Sequence, residues 1–325
     1  MSELNNQRQA AALLFLHAQT SLHPGSGTAL GVVDLPVQRE RHTQWPLIPG
    51  SSLKGILRDT CREKARLKPE HGGDRKKANE QDAELIAAFG PGRIGAENTS
   101  HAGAINVTDA RILAFPVRSL RGVFAWVTCP AVLERLNRDL NLAGRKGLAS
   151  LPSFDAQKRE QAACVADSPL VLNDDNVKKL VLEEFEFRCV EDAAPIAQWI
   201  AERAVADDFT RDRLRSHCVV LQDDDFGHFV RHATEVAARI GLDYEKKTVK
   251  DGALFYQEFL PPETLFYSLV FANESRYQGH PMAAGAVLSY LRERLAEVRV
   301  LQVGGDETTG KGLCAVRLID GKEDK

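Results

Sequence analysis

The apolar period changes in the same order at both ends of this chain, and that order limits the folds open to it. At the front, Ala11 to Leu22 (AALLFLHAQTSL) reads as a buried strand, a short continuous apolar run. A helix follows, with Ser51 or Ser52 able to cap it, in which Leu53, Leu57, Cys61 and Ala65 recur every four residues. Gly103 to Phe115 and Gly122 to Thr128 then return to strand character. At the back, Glu263 to Ala272 is a strand, Ala283 to Val298 a helix, and Arg299 to Val303 and Leu313 to Ile319 are strands around a glycine-rich loop. Strand–helix–strand–strand, answered by strand–helix–strand, implies an α+β protein built on ferredoxin-like sheets.

The middle reads as insertions into that core. Lys68 to Asn79 is polar and reads as an exposed loop, followed by short helices over Gln81 to Phe89 and around Ala131 to Asp139. Val181 to Cys189 alternates like a strand, Pro195 to Val205 reads as a helix, and Asp223 to Ile240 as an amphipathic helix. Leu242 to Val249 and Ala253 to Leu260 flank Lys250-Asp251-Gly252, and Asp-Gly between two β-like runs signals a hairpin.

The 325 residues are 43% hydrophobic and 27% charged, ordinary values for a soluble protein. No apolar stretch is long enough to span a bilayer, and Met1 to Ala10 lacks the order of a signal peptide, so the expectation is a cytoplasmic protein without a membrane partner. The six cysteines form no CxxC pair, which speaks against structural zinc and a redox dithiol; they read as reduced. A formal charge of −3 argues against nucleic acid, but Arg39 to Lys77 holds eleven Lys or Arg against five Asp or Glu. Lys54, Arg58, Arg62 and Arg66 follow the helix period one residue behind its apolar stripe, a row of cations suited to a phosphate backbone.

Four segments carry possible chemistry. Gly305 to Lys311 fits seven positions of a P-loop, but Gly312 stands where a hydroxyl is needed and a strand follows where a helix is needed, so an NTPase is rejected. The loop either binds phosphate through backbone N–H groups and Lys311 or is a hairpin turn. The long Gly- and Pro-rich loop after the first strand holds His23, Asp34, Arg39, Arg41 and His42, suitable parts for phosphodiester cleavage in which RNA brings its own 2′-hydroxyl nucleophile. Asp223-Asp224-Asp225 reads as a helix cap rather than a metal site, and His228 and His232 lack the HExxH pattern. Phe266 and Tyr267 read as core, while Tyr256 and Phe259 are open to stacking on bases.

HPGSGTALGVVDLPVQRERHT, IPGSSLKGILR, NVTDARILAFPVRSLRGVFAWVTCP, LPPETLFYSLV and LQVGGDETTGKG, in that order, closely resemble the repeated backbone subunit of type III-B (Cmr) CRISPR complexes, within the RAMP superfamily. The resemblance runs from about Leu13 to Leu318. It implies one RAMP domain over 1–325, with an RRM-like, ferredoxin-like palm over about 11–135 and 263–320. Helical insertions and a β-hairpin thumb fill about 140–262, the thumb being the 242–260 hairpin or, as a rival, 165–190.

Such subunits stack as a helical filament of copies of themselves along a guide crRNA, beside other effector subunits, and cut complementary single-stranded target RNA at even intervals. The reaction the resemblance implies uses Mg²⁺ or Mn²⁺ and leaves a 2′,3′-cyclic phosphate and a 5′-hydroxyl. By position, Asp34 is the loop aspartate that promotes cleavage and a candidate metal ligand, and His23 is the family's loop histidine. Ser52, Lys54 and Arg58 match the guide-binding helix, and Gly304, Gly305 and Lys311 the glycine-rich loop facing the guide; Arg39, Arg41 and Tyr256 join the candidate RNA contacts. Glu258 or Glu263 corresponds to a further acid near the site. The competing readings are a subunit that holds RNA without cutting it and a metal-free guide-processing nuclease of the same superfamily. An intact Asp34 favours target cleavage.

Overall fold

The computed structural model describes residues 9–28, 33–92, 100–155, 157–174 and 177–320. The front of the chain runs β1 (Gln9–Ala18), β2 (Leu47–Ile48), α1 (Gly50–Arg66), α2 (Arg75–Gln81), α3 (Ala83–Phe89), β3 (Ile105–Val107), β4 (Ala110–Arg118), β5 (Phe124–Thr128) and α4 (Pro130–Leu142). The middle adds β6 (Gln161–Cys164), β7 (Leu172–Asp174), β8 (Val177–Leu182), β9 (Phe185–Asp192), α5 (Ala194–Ala204), α6 (Asp208–His217), β10 (Cys218–Leu221), α7 (Asp223–His232), β11 (Glu235–Leu242) and β12 (Val249–Phe259). The back is β13 (Leu265–Asn273), α8 (Ala284–Val298), β14 (Val300–Gln302) and β15 (Leu313–Asp320).

β1 explains its own sequence. It pairs antiparallel with β13 from Gln9↔Asn273 to His17↔Leu265 and with β15 from Ala12↔Asp320 to Ala18↔Cys314. α8 packs on β1, and on β1 too Trp199 of α5 meets Phe15 edge-on, with ring centroids 6.2 Å apart. Residues 12–18 are all buried, which is why the run is continuously apolar rather than alternating. The large mixed sheet continues β14-β15-β1-β13-β4-β5-β10-β6-β9-β8-β7, with β2 on β4 and β3 on β13. β4 bridges two halves: residues 110–114 face β13 and β2, and residues 115–118 face β5.

The four-residue stripe of α1 is confirmed, since Leu53, Leu57, Cys61 and Ala65 are buried and α1 packs on α8. Its cap is not a serine. Pro49 is the N-cap and supplies no side-chain bond; Asp109 Oδ1 instead accepts from Gly50 N at 2.7 Å. A Cβ at Gly50 would lie 2.6 Å from Val107 O, so this crossing requires glycine.

Four further readings are corrected. Lys68 to Asn79 contains most of α2, whose seven residues are polar except for buried Ala78 and so show no apolar stripe, but whose Asp74 carboxylate caps Lys76 N and Lys77 N. The helix expected over Asp223 to Ile240 ends at His232, because Glu235–Leu242 finds a strand partner in β12. The β11–β12 turn lies at 243–248, where Asp243 Oδ1 accepts from Glu245 N and Lys246 N. Lys250-Asp251-Gly252 lies inside β12 beside a register irregularity, and Gly252 takes φ 71° there. The cysteines are not all reduced: Cys164 and Cys189, on the neighbouring strands β6 and β9, are disulfide-bonded across a Cα–Cα distance of 5.6 Å. The other four are buried free thiols, and burial pushes Cys61, Cys218 and Cys314 up to about 12, far from a reactive thiolate. Among the described residues no helix is long and apolar enough to cross a membrane.

Candidate functional site

One edge of β12 gathers the candidate residues. Tyr256 and Glu258 lie two apart on this strand, so their backbone groups point to the same side. Tyr256 O accepts from Leu35 N and Glu258 N donates to Leu35 O, both at 3.0 Å, which makes residue 35 a short parallel addition to the hairpin. On either side of that pairing, Tyr256 N donates to Asp34 Oδ2 at 2.7 Å and His23 Nδ1 donates to Glu258 O at 2.7 Å. Asp34 and His23, on a long Gly- and Pro-rich loop, are thus held by one strand edge. Residues 29–32 of that loop lie outside the described residues.

The Glu258 side chain, in a residue 6% exposed, locks the loop from behind. Its Oε2 accepts from Val37 N at 2.9 Å, and its Oε1 accepts from Thr234 Oγ1 at 2.9 Å and Arg39 Nη2 at 2.5 Å. Arg39 spends another amino group on the carbonyls of Gln44 and Val230, so it faces inward as a brace and not toward a nucleic acid. Glu263 touches a different place, accepting from His17 Nε2 at 2.7 Å. Of the two acids left open by the sequence, Glu258 therefore adjoins Asp34. The next stretch of loop is anchored by Arg135, which donates to both oxygens of Glu40 at 2.8 and 2.9 Å. Burial pushes the Glu40 carboxyl up, but hydrogen bonds from Arg135 and Thr43 outweigh it and hold the group below its ordinary value.

His23 is 7% exposed and sits against Phe259, which is buried; the base-stacking role considered for Phe259 is not open to it. With Nδ1–H donating, Nε2 of the neutral ring is left as an acceptor. Behind His23 stands the glycine-rich loop. Gly305 N donates to His23 O at 3.0 Å, and a Cβ on Gly304 (φ 80°) would lie 2.3 Å from the same oxygen. Pro24, Gly25, Pro49, Ser52, Gly304 and Gly305 line a cleft of about 370 Å³, bringing three distant motifs together. The loop makes a 3₁₀ turn over Glu307–Thr309 and passes into β15, so it lacks the helix an NTP-binding loop requires.

The cations divide by their partners. Lys311 Nζ donates to Ser21 Oγ at 3.2 Å and lies 5.2 Å from the Phe259 ring centroid. Lys54 is half-buried without an acidic partner among the described residues, and burial followed by neighbouring Arg58 lowers its pKa. Arg58 turns inward to Asn79 Oδ1 and Phe89 O, fastening α2 and α3. Arg41 is exposed. Tyr256 projects from the open face of the hairpin, 41% exposed, directly beside Asp34. That face also carries Val236, Ile240, Leu242, Val249 and Leu254, all half exposed.

The three aspartates do begin α7, but none bonds its own N-terminus; Asp223 Oδ1 accepts instead from Ala131 N in the first turn of α4. Among the described residues no three His, Cys, Asp or Glu converge as a metal cage. A Mg²⁺ ion is ordinarily held by one or two carboxylates together with substrate phosphates and water, and Asp34 keeps Oδ1 for such a role. Thr234, Gln257, Arg239 and Asp306 escaped the sequence reading, because no local pattern distinguishes them from other polar strand or loop residues.

Known proteins share this architecture. A family model of the RAMP superfamily matches residues 15–315. The chain is 39% identical over 313 residues to the CRISPR system Cmr endoribonuclease Cmr4 of Pyrococcus furiosus, covering 95% of each. The crystal structure of oligomeric Cmr4 from the same organism superposes with a TM-score of 0.67 at 31% identity, covering 95% of this chain and 98% of that one. A chain of the type III-B Cmr-beta cryo-EM structure bound to cognate target RNA reaches a TM-score of 0.69 at 22% identity, covering 96% of this chain and 98% of that one, a likeness of fold alone.

Proposed function

Because this chain belongs to the RAMP superfamily and, at 39% identity over 95% of its length, to the Cmr4 family within it, we propose that it is the repeated guide-binding backbone subunit of a type III-B effector complex and cuts the complementary target RNA. The observation that carries this reading is the joint anchoring of Asp34 and His23 on one edge of β12, beside a glycine-lined cleft. The strand order β15-β1-β13-β4, antiparallel throughout, with α1 and α8 packed together, supports a ferredoxin-like palm. β11 and β12 form a separate two-stranded sheet, extended on its β12 edge by the bridge to residue 35 and with an open apolar face, which suits a thumb.

The guide backbone would follow the cleft between His23, the start of α1 and the glycine-rich loop, where backbone N–H groups, Lys54 and Lys311 meet phosphate oxygens. Base pairing chooses the target. At the target strand the 2′-hydroxyl attacks its own phosphate and the 5′-oxygen leaves, giving a 2′,3′-cyclic phosphate and a 5′-hydroxyl. Asp34, fixed through Oδ2, turns its free oxygen toward the reacting phosphate, and His23 Nε2 accepts a proton or a hydrogen bond. Asp34 is the residue that would hold a Mg²⁺ or Mn²⁺ ion here, and such an ion would supply neutralisation of charge on the phosphoryl oxygens. Tyr256 stands beside Asp34, where an unpaired base can stack. The partners are guide and target RNA, further copies of this chain and other effector subunits.

The test is cleavage of a guide-complementary RNA by the assembled complex, wild type against Asp34→Asn, with and without Mg²⁺ or Mn²⁺. Asparagine can still accept from Tyr256 N, so the loop keeps its place. Evenly spaced cuts that vanish in the variant while target binding persists are expected. Undiminished cutting would leave this chain a non-catalytic scaffold.

A further inference from the structure

Two acidic residues stand in the loop that the proposed function assigns to guide phosphates, Glu307 exposed and Asp306 half-buried. A carboxylate there weakens phosphate binding by charge repulsion, so its presence calls for another role. Asp306 Oδ2 accepts from Gln257 Nε2 at 2.5 Å, and its Oδ1 lies 3.5 Å from Arg239 Nη2. It therefore grips both hairpin strands, β11 through Arg239 and β12 through Gln257. Its backbone is the pivot of the glycine-rich loop: the Asp306 carbonyl accepts from Thr309 N at 3.0 Å and Lys311 N at 3.2 Å, and φ is 64°. Aspartate is among the few non-glycine residues that tolerate this conformation.

Gln257 is buried and lies between Tyr256 and Glu258, the two residues whose edge holds Asp34 and His23. Arg239, Lys311 and His23 all crowd the Phe259 ring, at 5.4, 5.2 and 5.6 Å. The glycine-rich loop and the cleavage loop thus meet the same short stretch of β12 from two sides. We propose that Asp306 is a positioning residue for cleavage: it clamps β12 to the glycine-rich loop, so that the guide seated on that loop fixes where Asp34 stands. This inference rests on the cleavage reading above.

The experiment compares Asp306→Gly and Asp306→Asn in the assembled complex. Glycine takes φ 64° without strain, so the turn survives while the carboxylate is gone. Asparagine still accepts from Gln257 and tolerates the backbone, losing the charge and the acceptor opposite Arg239, whose side chain is already partly exposed. With saturating target, single-turnover cleavage by Asp306→Gly is expected to fall about 10- to 100-fold, as for a misplaced catalytic group. Guide affinity should stay within about twofold, and Asp306→Asn should recover most of the rate. Weakened guide binding with an unchanged cleavage rate would overturn the proposal in favour of a guide contact. Wild-type rates in both variants would overturn it outright. Asp34→Asn run in parallel separates the two levels. If that variant is inactive while Asp306→Gly cuts normally, the clamp alone fails; if it cuts normally, both readings fall.

Discussion

Glu258→Gln removes one charge from a residue 6% exposed whose carboxylate accepts from Arg39, Thr234 and Val37. The shape is nearly unchanged, so the loss is electrostatic. Whichever way the new amide turns, its NH₂ faces a donor: Val37 N–H on one side, or Arg39 and Thr234 on the other. Losing a charge-assisted hydrogen bond costs about 1.5–3 kcal/mol and leaving a buried N–H unpaired about 1–3 kcal/mol, and breaking a buried ion pair costs about 3–5 kcal/mol. With local relaxation, about 3 kcal/mol is expected. Arg39→Met should cost a similar amount, because it leaves the Glu258 carboxylate buried without its cation. The double variant should lose clearly less than the two singles together, with a coupling of about 2 kcal/mol. Urea unfolding at neutral pH, with m-values unchanged among the four proteins, reads these energies. Single losses below about 1 kcal/mol that simply add would refute the view that this pair holds the cleavage loop.

Gly304→Ala meets both a left-handed backbone and a Cβ position 2.3 Å from His23 O, so a loss of about 2 kcal/mol or more is expected in thermal unfolding, with weaker guide binding. An unchanged Tm would contradict that geometry. The lowered pKa values of Glu40 and Asp82 contribute stability that is full above the unfolded carboxylate pKa of about 4 and is lost as pH falls through the depressed folded values. Arg135→Ala should remove the Glu40 share and flatten the fall of stability below that pH; an unaltered acid limb would count against the pairing. Thiol titration of the denatured, unreduced protein should find the four free cysteines, and six after reduction; six before reduction would remove the Cys164–Cys189 bond.

How much of this was legible in the sequence depended on the range of the signal. β1, the α1 stripe, α8 and β13 were readable because burial imposes its period on residues a few places apart. α2 was missed because a seven-residue polar helix carries no stripe, although Asp74 marked its start. The hairpin was legible and its turn was not: Asp-Gly at 251–252 is a local turn signal, but the pairing of Glu235 with Phe259 moved the reversal to 243–248. His23 and Asp34 were legible through resemblance rather than spacing. The inward roles of Arg39 and Arg58 were not, since an arginine in a basic run looks the same whether its donors meet phosphates or backbone carbonyls.

By itself the sequence determined the layered α+β plan, the buried strands and the residues capable of the chemistry, because backbone geometry turns each element's environment into a period visible along the chain. The tertiary structure alone decided that Glu258 and not Glu263 adjoins Asp34, and that Asp306 reaches Gln257. Val37 and Glu258 are 221 residues apart. Their bond depends on where β12 offers a free edge, and nothing within one helical turn or one strand pair of either residue specifies that.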